Sequence, residues 1–342
     1  MSLLNTYYSD VPYQGAVGYY PTNISNPALQ WEKTNKLNIG LDFGFFDDAL
    51  LLSGNYFRNR SSNQLIYYRI PIQAGFDYVL RNFPATVQNN GIELMLNATP
   101  VKSRKFSWQT SVNITIPRNK LIAFDNLVGS PYEEAFTIGK PVNQIKVFNY
   151  VGVNSTTGLY EFLTSKGEKT SDPSYASDRN NVIDPNPKFY GGFSNTLQYR
   201  EFTLDLLFQF VDIIAQNYHF GNQPGDILNQ PVSVLSRWQE AGDHTDIQKV
   251  SVGSTTSTSY SAALNSDASY GGSSYMRLKN ISLSYSFPPV LLKKVRLNNV
   301  RAFVQGQNLL TFTNYIGNDP ESRNVAKTPP LKMFTFGIQA SL

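Results

Sequence analysis

None of the 342 residues is cysteine, so neither a disulfide framework nor a thiolate metal site can organise this chain. Histidine occurs twice, tryptophan three times, and charged residues make up only 16%. The net charge of +4 is too small to argue for a nucleic-acid partner. Long apolar runs are missing as well: Ala49 to Leu52, Phe210 to Val211 and Ile213 to Ala215 fall far below the roughly 18 to 20 residues a membrane-spanning helix needs. If the chain crosses a membrane, it crosses as strands. Met1 to Asp10 carry neither a positive leader nor an apolar signal core, which sets the expectation that an exported protein does not natively start here.

What is present is aromatic and periodic. The 41% apolar content includes 21 Tyr and 22 Phe, a balance that favours strands and interface positions. Phe334, Phe336, Ile338 and Ala340, with Leu342, share one parity, while Thr335, Gly337, Gln339 and Ser341 share the other. Leu37, Ile39, Leu41 and Phe43 alternate in the same way with Asn38, Gly40, Asp42 and Gly44, as do Phe106, Trp108, Thr110, Val112 and Ile114 with Ser107, Gln109, Ser111 and Asn113. A strand turns that alternation into one greasy and one polar face. Because the polar set is amide and hydroxyl rather than Lys and Glu, it suits a wet lumen better than bulk solvent.

The pattern predicts nine spanning strands, about 33–43, 49–58, 90–99, 105–116, 188–199, 202–211, 277–287, 299–309 and 332–342. Short turns near Gly44–Asp48, Pro100–Arg104, Arg200–Glu201 and Pro288–Asn298 alternate with long loops near 59–89, 118–187, 212–276 and 310–331. That asymmetry belongs to an all-β, transmembrane antiparallel barrel of an outer membrane. Phe43, Phe45, Phe46, Phe106, Trp108, Tyr199, Phe202, Tyr285 and Phe287 crowd the short turns, where a periplasmic aromatic girdle is expected. Lys279 shares parity with Ile281, Leu283 and Tyr285, so it is expected at the outer rim with its ammonium snorkelling. In 299–309 Arg301 shares parity with Phe303, Gln305 and Gln307, and parity alone assigns no lipid face. Nine is odd, whereas single-chain bacterial barrels are even, so the chain is expected to be part of a larger barrel: 1–32 a piece of an extracellular loop, 33–342 the barrel strands, with plug and N-terminal strands elsewhere.

These residues carry a resemblance. Asn26-Pro-Ala-Leu-Gln-Trp-Glu32, Lys36 to Phe45, Asn90-Gly-Ile-Glu-Leu94 before Phe106-Ser-Trp108, and Pro185-Asn-Pro-Lys-Phe189 before Tyr190-Gly-Gly-Phe193 follow in order. Ser274 to Tyr285, Gly306-Gln-Asn-Leu-Leu-Thr-Phe312, Asp319-Pro-Glu321 and Pro329 to Gly337 complete the set. In this order they resemble the C-terminal half of SusC/RagA-type TonB-linked outer-membrane receptors. The resemblance implies a plugged barrel of about 22 strands that is integral to the outer membrane and in contact with its lipids. It also implies import of oligosaccharide or peptide beneath a SusD-like lipoprotein lid, with energy from TonB through the plug, and no enzymatic role or cofactor.

Catalytic patterns are thin. His219 and His244, with Asp243 and Asp246, lack the spacing of a metal site and read as a solvated loop. Asp319 and Glu321 could be paired glycosidase carboxylates, but flanking Pro320 they read as a turn. Lys293, Lys294 and Arg296 read as a solvated periplasmic turn. Loop aromatics are the candidates for ligand or lid contact: Tyr13, Tyr19, Tyr20, Tyr67, Tyr68, Tyr150 and Trp238, with loop packing or contact with the lid protein preferred over direct ligand contact. Two other readings of the residues stay open. One is a soluble secreted all-β carbohydrate-binding protein or enzyme, although a sandwich should have short connections at both ends. The other is a passive porin or adhesin barrel.

Overall fold

Nine long strands follow one another: β1 (Lys33–Phe45), β2 (Leu50–Ser62), β3 (Ala85–Lys102), β4 (Phe106–Phe124), β5 (Phe189–Tyr199), β6 (Phe202–Asp212), β7 (Tyr275–Ser286), β8 (Asn299–Thr313) and β9 (Met333–Ser341). They form one sheet in chain order, with β1 and β9 at its edges. The pairings from β4 to β9 are all antiparallel. The computed structural model describes residues 6–9, 12, 14–292, 297–324 and 327–341. The basic cluster Lys293, Lys294 and Arg296, and Leu342, lie outside the described residues.

All nine expected strands are present, and four of them run markedly further at their long-loop ends than the alternation predicted. β2 continues to Ser62, β3 begins at Ala85, β4 ends at Phe124 and β8 ends at Thr313. Their extra residues lie on the long-loop side, and β4 runs there through Pro117, Arg118, Asn119 and Lys120. Backbone pairing continues where a greasy face is no longer required, so alternation marks the apolar belt rather than the strand. The short connections hold as expected: Phe46, Asp47 and Asp48 all take positive φ between β1 and β2, and Arg200 does so between β5 and β6. Asp tolerates the left-handed region better than most residues, which lets the chain reverse within a few positions.

Register turns parity into two surfaces. Across five consecutive strand pairs, Phe106, Tyr199, Phe202, Tyr285, Ala302 and Ile338 occupy one row of the apolar face. The next row toward the long loops is Trp108, Leu197, Leu204, Leu283, Val304 and Phe336. Four aromatics of the expected girdle thus sit side by side, with the Phe202 and Tyr285 rings 4.8 Å apart. β8 is no longer ambiguous: Ala302 and Val304 join the apolar rows, and Arg301, Phe303, Gln305 and Gln307 take the other face. Phe303 is tolerated there because its ring lies over Gly337, where a Cβ would come within 2.5 Å of it.

Lys279 overturns the parity rule. Leu207 and Phe208 of β6 face Asn280 and Leu278 in succession, so Lys279 is an extra residue in β7, a β-bulge. On the β8 side the register shifts at the same place, beside Asn308 with its positive φ. Parity therefore reverses at Lys279: Ile281, Leu283 and Tyr285 face one way while Tyr275 and Arg277 face the other. Lys279 does not snorkel at a greasy rim but bonds Glu321, a partner it shares with Arg277 of the polar face.

The chain divides into two compact units. In the first, made of Met1–Ile39, Tyr56–Gly91 and Arg118–Val142, the hairpin Leu65–Arg69 with Tyr78–Asn82 accompanies a core of Phe83, Ala85, Val87, Leu121 and Phe124. Tyr132 and Phe136 close over Phe83 at 5.2 and 5.8 Å. In the second unit, the stretches expected as polar loops contain their own core of Phe148, Tyr160, Phe162, Phe220, Ala262 and Ala263. Helix α1 (Ser254–Leu264) supplies the two alanines, and its Ser259 donates to a fully buried Gln248 at 2.7 Å. Each large apolar side chain removed from water here contributes about 1.5–3 kcal/mol, which is why such long connections hold a fixed form.

Candidate functional site

The polar face is a built surface. One row runs Gln109, Thr196, Asp205, Ser282, Gln305, Thr335 across six strands. The row toward the short turns runs Ser107, Gln198, Thr203, Ser284, Phe303, Gly337, and the row on the other side runs Ser111, Ser194, Leu207, Asn280, Gln307, Met333. Thr196 donates to Asp205 at 2.7 Å and Gln305 to Asn280 at 2.6 Å. Side chains of this wall are thus held by neighbours while presenting amides and hydroxyls, groups that exchange hydrogen bonds with a polar solute as readily as with water. A cavity of about 340 Å³ opens against it, lined by residues that include Asp48, Asn97, Thr99, Gln109, Ser111 and Thr196.

At the long-loop end of this face the segment after β8 folds back onto it. Arg277 projects from β7 with 2% of its side chain exposed. Its guanidinium donates to Asp319 at 2.7 Å, Glu321 at 2.6 Å and Thr311 at 3.0 Å. Asp319 is also buried, and its other oxygen accepts the backbone N–H groups of Glu321 and Ser322 at 2.7 and 3.2 Å. That is the turn-holding role expected of it. Lys279 reaches both oxygens of Glu321, at 2.8 and 2.7 Å. Ser273 donates to the Pro320 carbonyl at 2.9 Å and Tyr315 to that of Gln216 at 2.6 Å. Both carboxylates are committed to cations and amides, an arrangement unlike a pair of glycosidase acids that must exchange a proton with substrate.

The candidate aromatics do not converge. Tyr13 lies outside the described residues. Tyr19 and Tyr20 sit exposed on the short strand Tyr19–Pro21. Tyr67 is 68% exposed on its hairpin, with Tyr78 at 4.8 Å, and borders a cavity of about 460 Å³ together with Asn23, Ile72, Phe76 and Asp77. Tyr68 turns inward, under the Arg81 guanidinium at 4.5 Å and against Tyr132 at 5.5 Å. Tyr150 packs on Phe220 and Tyr160 at 5.4 and 5.8 Å, and burial raises its phenol pKa along with that of Tyr160. Trp238 covers Gly158, whose φ of +70° and lack of a Cβ leave room for the indole, and its Nε1 donates to the Ser155 carbonyl at 2.9 Å. Of these residues, Tyr19, Tyr20 and Tyr67 are the exposed ones, Tyr20 with the Tyr8 ring 6.1 Å away and Tyr67 against Tyr78.

Among the described residues no group of three His, Asp or Glu side chains could hold a metal ion. His219 stacks its ring edge on Phe220 at 4.8 Å. Sequence reasoning missed two features. Arg277 as an anchor gave no periodic signal because the bulge hides its sidedness. Exposed apolar residues in the loop between β6 and β7 were also missed: Ile227, Val232, Leu235 and Val252 are 98%, 81%, 72% and 82% exposed.

Residues 2–309 match the model of a family described as TonB dependent receptor-like, beta-barrel. TonB-dependent receptor P3 of Formosa agariphila is 29% identical over 351 residues, covering 94% of this chain and 34% of the relative. TonB-dependent receptor SusC of Bacteroides thetaiotaomicron is 26% identical, covering 99% of this chain and 35% of the relative. The chain thus spans about a third of the length of the curated relatives it matches. A solved structure of the RagAB peptide transporter superimposes with a TM-score of 0.83 over 99% of this chain and 38% of its own, at 24% identity, which speaks for the fold. That family gives the two faces their media, with lipid against the apolar rows and lumen against the polar ones. The chain belongs to the TonB-dependent receptor β-barrel family, is of the SusC/RagA type, and is integral to the outer membrane.

Proposed function

We propose that this chain forms the wall and outer loops of a nutrient importer that takes up an oligosaccharide or peptide with a SusD-like lipoprotein, powered by TonB through a plug region. In this reading residues 1–32 belong to an extracellular loop and 33–342 to the barrel. The observation that carries it is the continuous amide and hydroxyl wall from Gln109 to Thr335, backed by an unbroken lipid row from Trp108 to Phe336. Apart from the Asp205 carboxylate, held by Thr196, such a wall offers neutral hydrogen bonding, which suits passage of uncharged or weakly charged polymers. The name SusC and the description of RagAB as a peptide importer support the same reading. The exposed apolar residues of the loop after β6, Ile227, Val232, Leu235 and Val252, are the candidates for contact with a partner on the outer side, which would remove them from water.

The test is fractionation and uptake in the native host. Antiserum against the Gln230–Ala263 loop should mark an outer-membrane band. Gene deletion should abolish uptake of one labelled oligosaccharide or peptide, and removing TonB should do the same. A soluble band at the 38.4 kDa of this chain would return the all-β secreted reading. Uptake indifferent to TonB would make it a passive pore.

A further inference from the structure

We infer that residues 314–322 form a fixed strap folded onto the lumen face at the outer mouth, and that the pair its Glu321 makes with Lys279 of β7 keeps that mouth neutral, so that solutes of either charge pass. The inference rests on the reading of the polar face as a lumen wall. Arg277 fixes the geometry: it occupies a lumen row with Gln209 and Thr311, so whatever binds its guanidinium lies on the lumen side. Asp319 and Glu321 bind it, and Pro320 and Tyr315 are tied to Ser273 and Gln216. The segment is therefore clamped at several points rather than free to swing outward.

Within the cluster the exposures differ, and the difference assigns roles. Arg277 and Asp319 are 2% and 1% exposed, out of reach of any solute, and serve as the anchor. Lys279 and Glu321 keep 26% and 37% of their side chains exposed. They are the part of the cluster that a passing molecule touches. A buried ion pair costs desolvation that an apolar pair would not, so its presence is better explained by position than by stability. The bulge at Lys279 has the same consequence: it lets Arg277 and Lys279 reach one carboxylate from a strand whose remainder presents Ile281, Leu283 and Tyr285 to lipid. Paired, the two charges leave the mouth close to neutral, so solutes of either sign meet no barrier. Unpaired, either one would impose a sign.

The chain has no cysteine, which permits a direct reading of the local field. Gln307→Cys places a thiol on the lumen row opposite Asn280. In the full receptor in native outer membranes, its labelling rates with an anionic and a cationic methanethiosulfonate reagent are compared in the parent, Glu321→Gln and Lys279→Gln backgrounds. Glu321→Gln should raise the anionic-to-cationic ratio on the order of threefold and Lys279→Gln should lower it similarly, as one unit charge near the thiol requires. Thr335→Cys, one row away, serves if the first reporter does not assemble. Ratios unmoved in both backgrounds would overturn the inference while leaving the lumen intact. A thiol reached only by a membrane-soluble maleimide would overturn the lumen reading itself.

Discussion

The guanidinium of Arg277 meets the carboxylate of Asp319 at 2.7 Å, both out of solvent, across 42 residues of chain. Removing one partner would strand the other charge without water. Arg277→Met should therefore destabilise by about 3–5 kcal/mol, whereas Lys279→Gln, at a partly exposed pair, should cost no more than about 1 kcal/mol. Heat-modifiable migration of the assembled barrel on gels should show a large shift for the first and almost none for the second.

Leu283 and Ser282 are neighbours on opposite faces. Leu283→Arg places a cation against hydrocarbon one row from the aromatic girdle, where the cost lies between about 0–1 kcal/mol at the interface and about 2–4 kcal/mol at the bilayer centre, while Ser282→Arg enters the lumen and should be tolerated. Val304→Arg and Phe303→Arg repeat the comparison on β8, the strand that parity alone could not assign. Folding yield into lipid vesicles measures all four, and equal losses within a pair would contradict the register.

Sequence alone made the membrane-facing architecture legible for a physical reason. Lipid forces every second side chain to be apolar, and Trp108 to Phe336 obey. Where that demand ends, the signal ends: β4 runs on through Pro117 and Arg118 to Phe124 on pairing alone. The loop cores escaped for a related reason, because Phe148, Tyr160 and Phe220 come from segments far apart in sequence and show no period. Tyr150 illustrates the cost at the candidate site, where one ring in a loop reads alike whether it faces a sugar or Phe220. Arg277 was hidden by one inserted residue.

Asp178 accepts backbone N–H groups from Ser165 and Ser174 at 2.9 and 2.8 Å, which lowers its carboxyl pKa. A depressed folded value means that the stabilisation is complete above the ordinary Asp value of about 3.9 and is lost as pH falls through the folded value. Hydrogen exchange at the Ser165 and Ser174 amides should stay slow at neutral pH and accelerate below about pH 4 once the intrinsic pH dependence is divided out. Asp178→Asn should give the fast behaviour at all pH values.

The exposed apolar loop residues invite a charge test. Val232→Asp with Leu235→Asp should leave outer-membrane assembly unchanged, because both side chains are mostly in solvent. The same pair should reduce recovery of a lipoprotein partner in detergent pull-downs by at least about tenfold if they sit at the centre of the contact. Undiminished recovery would place the partner elsewhere on the loops.

The inserted residue in β7 behaves like a frameshift in a code with only two letters, in and out. Every side chain from Lys279 toward the outer mouth is read in the second frame and every one toward the periplasm in the first. A relative lacking that one residue would keep the sidedness of both halves, with Leu278 and Asn280 equivalents adjacent and on opposite faces, and would lose only the bulge. An alignment across this family carries the correct meaning for β7 only when any gap falls at the inserted residue, so that each half keeps its own frame.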